Sequence, residues 1–129
     1  METSSKGRLW ASRILSGIAV LFLTVDGMMK VLRLAPALQG TVELGYPESA
    51  VVPIGVLVLI GVVLYAIPRT SVLGAIWLTG FLGGAVATHV RVGNPLFTHT
   101  IFPTYVAAVV WGGLALRKPR VLDVILRGE

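Results

Sequence analysis

Residues 9–34 read LWASRILSGIAVLFLTVDGMMKVLRL, and this stretch decides the fold. Its uncharged part, between Arg13 and Asp26, extends only about 18 Å as a helix, whereas the hydrocarbon core of a bilayer is roughly 30 Å thick. If the helix crosses a membrane, Arg13 must reach one headgroup region, and Asp26 must lie below the other or face the interior of a helix bundle. Lys30 follows Asp26 by one helical turn, on the same face, and is its expected partner.

The composition of the whole chain favours a membrane protein. Of its 129 residues, 55% are hydrophobic and 13% are charged, whereas soluble domains carry about 25% charged residues. Apolar stretches near the length that crosses a bilayer recur, and we predict spans at residues 9–33, 51–67, 72–89 and 98–116, with a C-terminal tail at 117–129. We therefore expect one all-α domain over residues 1–129. It is a four-transmembrane-helix bundle with a short interfacial helix in the loop after the first span.

The basic residues predict the orientation of the bundle. Eight fall on the side of the two termini, Lys6, Arg8, Arg13, Arg69, Arg117, Lys118, Arg120 and Arg127, and three fall on the other side, Lys30, Arg33 and Arg91. Basic residues favour the cytoplasmic side, so we expect cytoplasmic termini and a multi-pass protein of a bacterial-type inner (plasma) membrane. Because these residues lie at span ends, the net charge of +5 does not indicate nucleic acid as a partner. The expected partners are the lipid bilayer and other membrane subunits or further copies of the chain.

The residue types that are missing limit the chemistry. The chain contains no cysteine, which excludes disulfides, thiolate metal sites and iron–sulfur clusters. It contains no phosphate-binding loop, no nucleophile–base pair and no HExxH motif, so we assign no catalytic residue and no metal site. No cofactor is identified with certainty. Haem is not expected, because His89 and His99 lie at span ends rather than deep in the bundle.

Polar residues gather at one predicted membrane face, where the first and third spans end. They are Asp26, Lys30, Arg33, His89, Arg91, Asn94 and His99. In a four-helix bundle these ends can meet, so we expect a polar pocket roofed by the loop at residues 35–50. Simpler interpretations are preferred for single members. Asp26 and Lys30 are interpreted as a structural ion pair in preference to a proton relay. His89 is interpreted as hydrogen-bonded inside the bundle, for example to Asp26, in preference to binding a metal.

Small residues recur in the third and fourth spans. Gly80 and Gly84 are four residues apart, as are Ala108 and Gly112, and this spacing lets helix backbones approach closely in membranes. We therefore predict helix-packing positions at Gly80, Gly83, Gly84, Ala108 and Gly112.

Four stretches, taken in order, carry a resemblance to a known family. They are DGMMKVL at 26–32, LGYPES at 44–49, IPRTSVLGAIWLTGFLGGAVATHVRVGNPLF at 67–97 and WGGLALRKPR at 111–120. With these stretches the chain resembles the DoxX-like family of small four-helix membrane proteins over nearly its whole length. The resemblance points to Asp26, Gly27, Lys30, His89 and Asn94 as positions within the matching motifs. GVLVLIG at 55–61 departs from the family, because many relatives carry an acidic residue near the position of Val58.

The resemblance implies association with sulfur- and quinone-linked oxidoreductases or with oxidative-stress complexes, usually as a partner of other subunits. A shared fold does not transfer an activity. We therefore expect a small accessory or structural subunit of a larger redox-linked membrane complex, not an enzyme on its own. Two alternatives stay open: a quinone-binding component of a membrane oxidoreductase, and a carrier of small solutes or lipids that uses the outer polar pocket.

Overall fold

The computed structural model describes residues 2–128, and the side chains from residue 6 onward. This part of the chain forms six α-helices: α1 (Glu2–Val31), α2 (Ala35–Glu43), α3 (Val51–Ala66), α4 (Ser71–Val92), α5 (Phe102–Arg117) and α6 (Pro119–Arg127). Short 3-10 turns at Glu48–Ala50 and Pro68–Thr70 lead into α3 and α4, and a π-helical turn at Leu96–Thr100 leads into α5.

Four segments are long and apolar enough to cross a membrane. They are Lys6–Val31, Glu48–Ala66, Pro68–Val92 and Leu96–Arg117, and they correspond to the four predicted spans. The predicted all-α fold with four transmembrane helices is therefore confirmed, and α2 is the short helix expected after the first span. Since the number of spans is even, both ends of the described chain lie on one side of the membrane. That this side is the cytoplasm stays a prediction.

The four long helices pack as a ring in which each contacts two neighbours. Helix α1 lies between α3 and α5, and α4 lies between the same two helices on the opposite side. The core between them is apolar and comprises Ala19, Leu23, Val58, Val62, Tyr65, Ala75, Leu78, Val110 and Leu114. The ring places the C-terminal ends of α1 and α4 and the N-terminal end of α5 at the same end of the bundle, and this arrangement creates the site described below.

The closest approaches between helices occur at glycines. A Cβ atom added to Gly74 would lie 2.5 Å from the Cα atom of Tyr65, and one added to Gly55 would lie 2.8 Å from the carbonyl oxygen of Gly27. Real Cβ atoms do not approach other atoms this closely, so the α3–α4 and α1–α3 contacts require a residue without a side chain.

The glycines predicted to pack helices behave differently. A Cβ atom on Gly80, Gly83 or Gly84 would meet nothing within 4 Å, and one on Gly112 would lie 3.5 Å from the Cδ1 atom of Leu15. Ala108 is exposed. For Gly80, Gly83 and Gly84, a packing role within this chain is not seen, and a role in contacts with other chains stays a prediction.

A buried chain of hydrogen bonds links three helices near the end that carries the termini. Tyr65 on α3 donates to the carbonyl oxygen of Val110 on α5 at 2.6 Å, and its oxygen lies 3.0 Å from Oγ of Ser16 on α1. Because the single proton of Tyr65 is used on Val110, Ser16 is the donor in the second bond. The guanidinium of Arg117 lies over the ring of Tyr65, 5.3 Å from its centroid, a cation–π contact.

Candidate ligand-binding site

The ends of α1, α4 and α5 surround a cavity of about 650 Å³, and α2 covers it. Its volume lies in the range of small-molecule sites, which are mostly apolar with a few polar groups. The polar lining side chains are Asp26, Lys30, Thr41, Glu43, Tyr46, Thr88, His89, Asn94 and His99, and the phenylalanine rings are Phe22, Phe81 and Phe102. The cavity is thus an apolar space with polar groups at defined points.

The acidic and basic side chains of α1 meet inside this cavity. Nζ of Lys30 donates to Oδ2 of Asp26 at 2.6 Å, and the two side chains are 18% and 36% exposed, respectively. Helix α3 supports this turn of α1 from behind, since Gly55 lies against the Cβ atom of Lys30. The ion pair indicated by the spacing in the sequence is therefore present, at the mouth of the bundle rather than in its core.

The end of α4 fixes the orientation of His89. Gly93, with φ of 73°, ends the helix, and the amides of Gly93 and Asn94 donate to the carbonyls of Val90 and His89, both at 3.1 Å. This pair of bonds is a Schellman motif. It turns Asn94 back so that its Nδ2 atom lies 2.7 Å from Nδ1 of His89.

The hydrogen bond to Asn94 determines which nitrogen of His89 carries the proton. An amide nitrogen only donates, so Nδ1 of His89 accepts and Nε2 bears the hydrogen. The partner of His89 is thus Asn94 and not Asp26, which the sequence had suggested. The reason is local. In the Schellman motif the backbone amide of Asn94 donates to the carbonyl of His89, and this brings the side chain of Asn94 next to the imidazole ring. Nε2 is left as a donor in a residue that lines the cavity.

His99 lies beside His89 although the two are on different elements. It belongs to the π-helical turn before α5, and the centroids of the two rings are 6.1 Å apart with an interplanar angle of 68°. The hydroxyl of Thr98 lies 2.8 Å from Nδ1 of His99. Within residues 2–128, His, Cys, Asp and Glu side chains do not form a group of three that could hold a metal ion.

The segment that follows α2 is attached to α4 beside the cavity by two hydrogen bonds. The hydroxyl of Tyr46 lies 2.9 Å from Oγ1 of Thr88. Thr88 uses its own proton on the carbonyl of Gly84, at 2.8 Å, so Tyr46 donates. Nη2 of Arg91 donates to the carbonyl of Leu44 at 3.2 Å. Leu44 and Tyr46 lie just after the C-terminal end of α2, so both bonds hold α2 in place over the cavity.

The structure brings together most of the residues that the sequence singled out. Asp26, Lys30, His89, Asn94 and His99 line the cavity, whereas Arg33 and Arg91 are not among its lining residues. Arg33 is exposed just after the end of α1, with φ of 56°. Arg91 donates its hydrogen bond to the carbonyl of Leu44 in the segment after α2. A ligand-binding role for these seven residues stays a prediction.

The lining residues that were not predicted include Tyr46 and Thr88, whose hydroxyl groups lie within hydrogen-bonding distance of each other. They are 42 positions apart, and a tyrosine in a loop or a threonine in an apolar helix has no pattern that marks it. Only the ring order of the helices, which places the loop over the end of α4, brings them into contact.

Replacing Tyr46 with phenylalanine should loosen α2 while the bundle stays folded. The substitution removes one hydrogen bond between the segment after α2 and α4, a loss of about 1 kcal/mol, so amide hydrogen exchange across residues 35–43 should become roughly fivefold faster. Tyr105→Phe is the matched control, because its hydroxyl makes only a 3.4 Å contact with the carbonyl of Phe97. Equal exchange of α2 in both variants would show that the Tyr46 bond does not hold the cover.

Comparison with known proteins gives one match. The model of the DoxX-like family matches residues 14–113, a range that includes most of α1, all of α2, α3 and α4, and the part of α5 that lines the cavity. No curated protein and no solved structure matches the chain.

Proposed function

This chain belongs to the DoxX-like family of membrane proteins, and we propose that its cavity binds the ring of a quinone-type molecule. The cavity of about 650 Å³ is the observation that carries the proposal. It lies at one end of a multi-pass bundle, so a ligand can reach it without crossing the protein core.

The apolar part of the lining suits a flat ring. Phe22 on α1 and Phe102 on the neighbouring α5 pack edge to face in the cavity wall, with ring centroids 5.7 Å apart, and Phe81 on α4 also lines the cavity. Aromatic side chains pack well against other planar rings. A molecule that is polar over its whole surface would leave these rings without favourable contacts, which supports a mostly apolar ligand.

The polar part of the lining suits a ligand with hydrogen-bond acceptors. Lys30 carries an ammonium group with donors beyond the one used on Asp26, and His89 offers Nε2–H because its Nδ1 is engaged by Asn94. Quinone oxygens accept such bonds. The carboxylate of Asp26 can accept from a hydroxyl if the bound molecule is the quinol.

The experiment is a binding titration of purified protein in lipid nanodiscs with a short-chain benzoquinone. Binding is measured by the thermal stability of the protein and by equilibrium dialysis. A ligand that binds the native state raises the thermal midpoint, and the rise grows with the logarithm of the ratio of ligand concentration to Kd once the ligand is in excess. His89→Ala should weaken binding about tenfold, because it removes a hydrogen bond within an apolar site.

Gly83→Ala is the control, since Gly83 is on the same helix but is not among the lining residues. It should bind as the unmodified chain does. If the benzoquinone leaves the thermal midpoint unchanged, or if both variants bind equally well, the proposal fails. A shift with phospholipids or small anions but not with the quinone would favour the carrier of small solutes or lipids instead.

A second candidate function is that of an accessory subunit of a larger, redox-linked complex in a bacterial-type inner membrane. The observation that favours it is the exposure of Gly83 on α4, which has no neighbour within 4 Å of an added Cβ atom and, unlike Gly80 and Gly84, does not line the cavity. In membranes, exposed small residues permit close contact with another helix. The two functions are compatible, because a partner subunit would exchange electrons with a quinone bound here.

Gentle solubilisation of native membranes, followed by sizing and an absorption spectrum, tests this second function. A subunit should migrate with a larger, coloured assembly, and Gly83→Leu should release it by placing a large side chain at the proposed contact. A small, colourless particle from the unmodified chain would contradict the accessory role and leave the binding proposal intact.

A further inference from the structure

Helix α6 is held rigidly at the end of the bundle that carries the termini. Lys118 is the single residue between α5 and α6. Its Nζ atom donates to the carbonyl of Pro68 at 2.6 Å and to Oγ of Ser71 at 3.0 Å, which ties the junction to the turn between α3 and α4. Val121, in the first turn of α6, packs against the buried core. The direction of α6 is therefore set by contacts on both sides of the junction.

The side chains of α6 separate into two faces. Arg120, Asp123 and Arg127 recur at helical spacing, which places them on one face. Leu122, Ile125 and Leu126 form an apolar flank, and they are 42%, 56% and 75% exposed. Apart from α5, no helix within residues 2–128 makes substantial contact with α6, so the flank is uncovered within the chain.

The bundle end around α6 is strongly basic. Exposed basic side chains there are Lys6, Arg8, Arg13, Arg69, Arg120 and Arg127, and Asp123 is the one acidic side chain at this end among residues 6–128. Basic residues near an anionic leaflet are attracted by its negative surface potential. The charge therefore complements the phosphate groups of anionic lipids.

We propose that α6 is an interfacial anchor for an anionic lipid leaflet. Leu122, Ile125 and Leu126 enter the boundary between headgroups and acyl chains, while Arg120 and Arg127 contact lipid phosphates. A lipid occupant is favoured over a protein because one residue joins α6 to a transmembrane helix, which keeps it at headgroup level. Amphipathic helices with a basic polar face bind at this depth. The inference is independent of what the cavity binds.

The absence of cysteine from the sequence allows a direct test with single spin labels. Labels are attached to Leu126→Cys and Asp123→Cys in the full chain, reconstituted in phosphatidylcholine vesicles with or without phosphatidylglycerol. In the mixed vesicles the label at position 126 should be relaxed mainly by oxygen, and the label at position 123 mainly by a water-soluble nickel chelate. Removing phosphatidylglycerol should raise the nickel accessibility at position 126 at least twofold.

Adding Arg120→Gln and Arg127→Gln should abolish this dependence on phosphatidylglycerol, while the thermal midpoint stays within a few degrees of the parent. Equal nickel accessibility at positions 123 and 126 in mixed vesicles would overturn the proposal. Spin–spin broadening at position 126 that grows with protein density would also overturn it, because a second copy of the chain would then cover the flank. A label at Leu122→Cys repeats the measurement if the change at position 126 disturbs the helix.

Discussion

Replacing Gly74 with valine should lower the free energy of unfolding by at least about 3 kcal/mol, which corresponds to a fall of roughly 10 °C in the thermal midpoint for a chain of this size. A Cβ atom at this position would lie 2.5 Å from the Cα atom of Tyr65 and 2.7 Å from the carbonyl carbon of Leu64. Both atoms belong to the backbone of α3, so no side-chain rotation relieves the clash. The α3–α4 pair must separate as a whole.

The separation would also break the hydrogen bonds of Tyr65 with Ser16 and Val110, since that tyrosine sits at the contact. Gly83→Val is the matched control on the same helix, where an added Cβ atom meets nothing within 4 Å. Its thermal midpoint should change little, because valine and glycine differ by less than about 1 kcal/mol in an exposed helix position. Similar losses in the two variants, measured by thermal denaturation in the same detergent, would contradict close packing at Gly74.

Replacing Lys30 with methionine should destabilise the protein by about 2 kcal/mol. The substitution takes away the ammonium group that lies 2.6 Å from Oδ2 of Asp26 and leaves a carboxylate in a mostly apolar cavity. A fully buried pair would lose about 3–5 kcal/mol, but these side chains are partly exposed, so the expected loss is smaller. Chemical denaturation in mixed micelles measures the difference.

The double variant Asp26→Asn with Lys30→Met should recover most of that loss, because no charge is left without a partner. It also separates stability from binding. If the ion pair only supports the fold, the double variant binds benzoquinone as the parent does. If the pair contacts the ligand, the double variant is stable but binds at least tenfold more weakly. A double variant as unstable as Lys30→Met would refute the charge-pair explanation.

The fold was predictable because length and hydropathy decide it. Four apolar stretches must be helices in a membrane, where the backbone has no water to bond with, and the Asp26–Lys30 pair follows from helical spacing alone. The loop predicted at residues 35–50 contains α2 (Ala35–Glu43).

Details that depend on which helices become neighbours were not predictable. Gly74 and Gly55 make the close contacts, whereas the regularly spaced Gly80 and Gly84 do not. Spacing identifies which residues share a helix face, but the ring order decides whether that face meets another helix. His89 has Asn94 as its partner for a similar reason, because the tight turn after α4 prevails over the more distant Asp26.

The ring order also implies a sequence of folding events. Helices α3 and α4 are joined by Pro68–Thr70 and can pair as soon as both are in the membrane, whereas α1 and α5 meet only after the whole chain between them has been inserted. Contacts between residues far apart in the chain form slowly because long loops must close. Since Phe22 and Phe102 meet at that last junction, the cavity is completed last. A nascent chain that stops before α5 would enter the membrane with three spans and no binding site.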